Sequence, residues 1–206
     1  MIKAISSFIL SIWGWKTSHT TVAFDKYVLI GAPHTSNWDF PLTLLGLSSM
    51  GITFNWVAKH TLFFRPLGSL LKAIGGIPVD RGQGASFLKK IIELYEEKET
   101  LILAIAPEGT RSRTRYWKTG FYTIAQRAGV PIGLGYIDYS RKMIGIEKFI
   151  LASGDIEADF EVIKDYYQDK WGRYPEKQGE ICVRRKKSKA SRGNTGPGTE
   201  AGQRSA

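Results

Sequence analysis

Cysteine is almost missing from this chain: among 206 residues there is one, Cys182. That excludes an internal disulfide framework and any multi-cysteine zinc site, and it fits a reducing compartment. Histidine is scarce too, at three, which leaves a poor inventory for a metal centre, and none is expected. No stretch reaches the roughly 18 apolar residues that a bilayer-spanning helix needs. Two familiar signatures fail as well. Gly46-Leu-Ser48-Ser-Met50 lacks the second glycine of a nucleophile elbow, and Gly133-Leu-Gly135-Tyr-Ile-Asp138 lacks the last glycine of a dinucleotide fingerprint. Acids are outnumbered, 19 against 29 Lys and Arg, for a net charge of +10. Residues 184–206 hold seven of the basic residues and one acid, Glu200, so the other 183 residues carry only +4. The basic excess belongs to a tail suited to an anionic surface. The six tryptophans are scattered, unlike a base-stacking platform, and no nucleic-acid partner is expected.

Apolar residues at 43% and charged residues at 23% are ordinary globular usage, and the length suits one domain with appendages. Apolar runs predict strands over 27–32, 52–57, 76–79, 101–106 and 131–137. Helical spacing predicts helices over 38–49, 67–74, 120–128 and 156–170, and one carrying Phe87, Leu88, Ile91, Ile92 and Tyr95 on a single face. This alternation points to an α/β domain around a largely parallel central sheet, with ligands beyond the carboxyl ends of its strands. The expected organisation is an N-terminal helical segment over 1–18, the domain over 19–183, and a disordered basic tail over 184–206.

At the start of the chain, Ile2, Ile5, Phe8, Ile9, Ile12 and Trp13 share one helical face. Lys3, Ser6, Ser7 and Ser11 lie opposite, with Leu10 out of pattern among them. One lysine, tryptophans after the apolar run and no small-residue cleavage site make a poor signal peptide. Two readings stand open: an amphipathic helix in a membrane interface, with Trp13 and Trp15 at headgroup level, or a helix packed on its own domain.

Three segments could carry chemistry, each at a predicted strand end. Ala32-Pro-His34-Thr-Ser-Asn-Trp-Asp39 turns from strand to helix and sets Asp39 in the first helical turn, where exposed N–H groups favour a carboxylate. A bond from Asp39 to one imidazole nitrogen would fix the tautomer and leave the other for proton transfer. By itself the spacing does not separate such a pair from a histidine capping a helix. Glu108-Gly109-Thr110-Arg111 offers a glycine turn, a hydroxyl and a planar guanidinium, a set that suits a phosphate. Gly76-Ile-Pro-Val-Asp80-Arg81 brings a second arginine to another strand end.

These blocks, followed by Val130-Pro131-Ile132, resemble the four ordered motifs of the glycerolipid acyltransferase family, best known for 1-acyl-glycerol-3-phosphate (lysophosphatidic acid) acyltransferases. Lys59 before the second block and Lys118 after the third fit the same pattern, and the resemblance spans residues 27–170. It implies a single domain with a mixed, largely parallel sheet flanked by helices. It also implies transfer of a fatty acyl group from a thioester, on coenzyme A or acyl carrier protein, to a lysolipid hydroxyl, with no other cofactor. His34 would be the general base and Asp39 its orienting partner. Arg81, Glu108, Gly109, Thr110, Arg111, Lys59 and Lys118 would bind substrate. Peripheral attachment to the cytoplasmic face of the cell membrane follows as an expectation. Pro33 stands where the family often has Asn, and the second block lacks the usual bulky run, departures that bear on the acceptor. The alternatives are a different lysolipid acceptor, with or without phosphate, and a non-enzymatic module that binds anionic membranes.

Overall fold

A computed structural model describes residues 1–20, 24–80 and 84–184; Arg81 and the expected disordered tail past Arg184 lie outside the described residues. The elements are α1 (Ile2–Ile12), β1 (Lys16–His19), β2 (Lys26–Ala32), α2 (Asp39–Met50), β3 (Asn55–Lys59), α3 (Leu67–Ala73), β4 (Gly76–Val79), α4 (Gly84–Glu97), β5 (Leu101–Ile105), α5 (Gly120–Ala128), β6 (Ile132–Asp138), β7 (Met143–Ile150) and α6 (Ile156–Tyr167). The strands form one sheet in the order β1-β7-β6-β2-β5-β3-β4. Every neighbouring pair is parallel except β6 and β7. This is the expected α/β fold.

β2 lies at the centre of the sheet and is buried on both faces, which is why it reads as one unbroken apolar run. Val28 and Ile30 join Leu103, Ile132 and Leu134 in a core roofed by α4, α5 and α6. Tyr27 and Leu29 face the other way, toward Leu47 of α2, with Phe54, Trp56 and Ile146. α2 settles onto β7 at Gly46, where a Cβ would stand 2.6 Å from Ile144 Cγ2. A larger residue there would lift the helix off the sheet.

The N-terminal boundary at 18 is corrected, because residues 16–18 belong to β1, which pairs with β7 at the sheet edge. α1 packs on α2 through buried Ser6 and Leu10, while Ile2, Ile5, Phe8 and Ile12 are exposed. Leu10, out of pattern in the sequence, is thus the residue that fixes the helix, joining Leu42, Ile137 and Ile144. Trp15 packs edge-on against Tyr139 at a centroid distance of 5.0 Å. Among the described residues no helix is long and apolar enough to cross a membrane.

Candidate active site

Because β6, β2 and β5 are adjacent and parallel, the segments leaving their carboxyl ends converge. β2 delivers His34, β5 delivers Glu108 to Arg111, and β6 delivers Tyr139.

His34 Nδ1 lies 2.9 Å from Asp39 Oδ2, with the two side chains 27% and 5% exposed. The same oxygen accepts the backbone N–H groups of Thr35 and Ser36, each at 2.9 Å, as expected for an acid at a helix start. Oδ1 accepts the Tyr139 hydroxyl at 2.8 Å. Both oxygens of Asp39 are therefore committed, and the carboxylate is held in one orientation. A carboxylate facing Nδ1 places the imidazole proton there and leaves Nε2 as the nitrogen open to a substrate.

Tyr139 escaped the sequence reading. Burial, reinforced by its bond to Asp39, pushes its phenol far above the ordinary range, so it stays a hydroxyl donor. Its loop is secured by its own N–H donating to the Trp171 carbonyl at 2.8 Å, and by fully buried Asp138, which accepts from Ser140 and Arg141. The available signal was its place: the first residue past a strand that borders β2.

Glu108, expected on a head group, turns inward. Its Oε1 accepts the His34 backbone N–H at 2.9 Å, and buried Oε2 has no hydrogen-bond partner among the described residues. A buried carboxyl group oriented this way braces the His34 turn. Burial raises its pKa from 4.5 to about 7, against the opposing pull of the backbone N–H groups it accepts. The folded protein then binds this proton more tightly than the unfolded chain, so stability falls as pH rises from 4.5 to about 7, and the full cost is present above that. Glu108→Gln is expected to remove that slope and, at pH above 7, to relieve on the order of 3 kcal/mol. Urea unfolding midpoints of both proteins across the neutral range check this. Parallel pH dependences would exclude a protonated Glu108.

The remaining expected binding residues divide. Arg111 is exposed and shares one cavity with His34, Asn37 and Asp39. Gly109 makes the tight turn, at φ +66°, and the Thr110 hydroxyl accepts the Ser112 N–H within the loop. Lys59, the last residue of β3, and Lys118, two residues before α5, line a second cavity, of about 280 Å³, with α4 and α5 residues.

The cavity at His34 holds about 470 Å³ and runs between the sheet and α2. Its polar groups gather at the strand ends, and Leu29, Leu47, Phe54, Trp56 and Leu71 line its depth. Gly31 forms part of the wall, and a Cβ built there meets nothing within 4 Å. A glycine in mid-strand thus keeps the slot open beside His34.

The fold is similar to the crystal structure of PlsC from Thermotoga maritima, a 1-acyl-sn-glycerophosphate (LPA) acyltransferase. The TM-score is 0.56 and the sequence identity 18%, over 84% of this chain and 80% of that one. No curated protein sequence matches. A family model described as acyltransferase matches residues 17–133, more than half of the chain, a stretch that includes both His34–Asp39 and Glu108–Arg111. This protein therefore belongs to the acyltransferase family and is an acyltransferase enzyme.

Proposed function

We propose that this acyltransferase moves a fatty acyl group from an acyl thioester, on coenzyme A or acyl carrier protein, to the hydroxyl of a lysolipid, with 1-acyl-glycerol-3-phosphate as acceptor and phosphatidic acid as product. The observation that carries the reading is a single cavity with a His–Asp pair and Arg111 at its polar end and an apolar slot behind them. That combination suits an acyl chain whose reactive carbonyl must meet both a base and an anionic acceptor.

In this mechanism His34 Nε2 takes the proton of the acceptor hydroxyl as its oxygen attacks the thioester carbonyl. Asp39 offsets the positive charge that develops on the ring. The C–S bond then breaks, and the departing thiolate receives the proton from His34. A thioester is already activated, so a positioned base suffices and no covalent serine is needed. Arg111 supplies a planar donor fork for the acceptor phosphate, with Arg81 as its expected helper. α1 and the basic tail hold the enzyme at an anionic membrane surface.

Mass spectrometry of the products formed from one acyl thioester and a panel of lysolipids tests the assignment. Acylated lysophosphatidic acid is the expected main product. Arg111→Ala is expected to raise the KM for that acceptor with less change in kcat. Preference for a phosphate-free lysolipid, untouched by Arg111→Ala, would overturn the head-group assignment.

The slot carries its own prediction. Gly31→Leu fills open space, so the fold is expected to persist while kcat/KM for long-chain thioesters falls by about 10²-fold. Chain-length series on both proteins check it, and an unchanged series would place the acyl chain elsewhere.

A further inference from the structure

The two helical layers that cover the sheet differ in character. α4, α5 and α6 present one exposed large apolar residue, Val162, and their exposed acids Glu93, Glu96, Glu97, Glu157, Glu161 and Asp165 outnumber the exposed bases Lys89, Lys90, Arg127 and Lys164. The layer of α1, α2 and α3 reverses this. α1 exposes Ile2, Ile5, Phe8 and Ile12. At the other end of the layer, the segment 60–74, made of the 3-10 turn His60–Leu62, α3 and their flanking residues, exposes Leu62, Phe64, Leu67, Leu70 and Ile74. Such clusters are far from ordinary for a surface meant only for water.

Charge follows the same division. Residues 40–79 contain no Asp or Glu, and Arg65 just before α3 and Lys72 within it are both exposed. Residues 1–24 contain no acid either. Exposed apolar side chains on segments whose charged residues are all basic suit an anionic lipid surface, where each added basic residue strengthens attachment.

The segment around α3 also borders the slot. Leu62 and Leu67 are exposed and line the cavity, and Leu71 of the same helix lies deeper within it. Apolar surface therefore runs from the outside of α3 into the slot without a polar break.

We propose that residues 60–74 form a second bilayer-contacting element, and that α1 and this segment seat the α1–α2–α3 layer on an anionic membrane. The acyl chain then slides from the bilayer into the slot past Leu62 and Leu67, never crossing water, while the acidic α4–α6 layer faces away. This deepens the lysolipid reading and rests on it for the identity of the chain that enters.

The test uses the full chain with vesicles of equal phosphatidylcholine and phosphatidylglycerol, and with pure phosphatidylcholine as a comparison. The variant Phe64→Glu with Leu70→Glu changes two exposed residues outside the slot lining, and Val162→Glu is the control on the opposite layer. The double variant is expected to partition more than about tenfold more weakly onto the mixed vesicles, with the control unchanged. An environment-sensitive dye on Leu70→Cys, in a Cys182→Ser background, is expected to shift to the blue on mixed vesicles and far less on phosphatidylcholine alone. Transfer to vesicle-borne lysolipid should fall with partitioning, while transfer to a soluble short-chain lysolipid persists.

Unchanged partitioning with no dye shift would overturn the proposal. So would a self-associated wild type, seen by sedimentation, that the double variant converts to monomer without loss of vesicle binding, since a second copy would then cover the patch. If the wild type acylates neither acceptor, the lysolipid reading fails separately, and the partitioning and dye measurements still decide the docking face.

Discussion

His34→Ala is expected to lower the turnover of acyl transfer by about 10²–10⁴-fold, the range over which a positioned general base acts. An alcohol attacks a thioester slowly unless its proton leaves as the bond forms, and His34 Nε2 is the nitrogen open to that proton at the polar end of the slot. Nothing in the core depends on the ring. It is partly exposed, and its backbone N–H, which anchors Glu108, survives the substitution. The thermal midpoint should therefore stay near that of the wild type while kcat collapses and the KM for the thioester changes little. That split separates lost chemistry from lost folding or binding.

Asp39→Asn is expected to cost about 10³- to 10⁴-fold in kcat, a magnitude borrowed from the equivalent change in the serine-protease triad. Asp39 receives four hydrogen bonds, from His34, Thr35, Ser36 and Tyr139. Asparagine can keep the three on one side only by setting its carbonyl oxygen there, which turns its amide toward Tyr139. The hydroxyl must then rotate to accept, and no negative charge remains to offset the imidazolium of the transition state. Because those partners also shape the loop before α2, some stability is lost as well. Kinetics should accordingly be compared well below the unfolding midpoint of the variant.

The centre of the fold was readable because burial and extension coincide there: β2 and β5 are apolar on both faces, and α5 runs over 120–128 as its spacing predicts. The expectation failed where apolar residues serve another purpose. Residues 52–54 prolong the apolar run into β3, yet they form the turn after α2, with the Ile52 N–H donating to Leu47 O and Phe54 buried; the strand begins at Asn55. β1 was missed because an exposed edge strand of Lys-Thr-Ser-His has no hydrophobic signature.

The site divides in the same way. His34 and Asp39 are five residues apart, so local turn geometry brings them together. The Glu108 carboxylate finds His34 across 74 residues and Tyr139 finds Asp39 across 100, contacts that only the sheet order creates. Lys118 lies against Gly109 of the third block, where a Cβ would meet its Cγ at 3.3 Å, and with Lys59 it lines the neighbouring cavity; motif order carries no information about which side of the strand ends a side chain leaves.

The central claim is that the imidazole of His34, held by Asp39, removes the acceptor's proton. The most direct test measures acyl transfer by His34→Ala across a series of free imidazole concentrations. The expected result is a nearly silent enzyme whose turnover rises with added neutral imidazole, occupying the space the ring left. A His34→Ala protein that transfers at the wild-type rate without imidazole would contradict it.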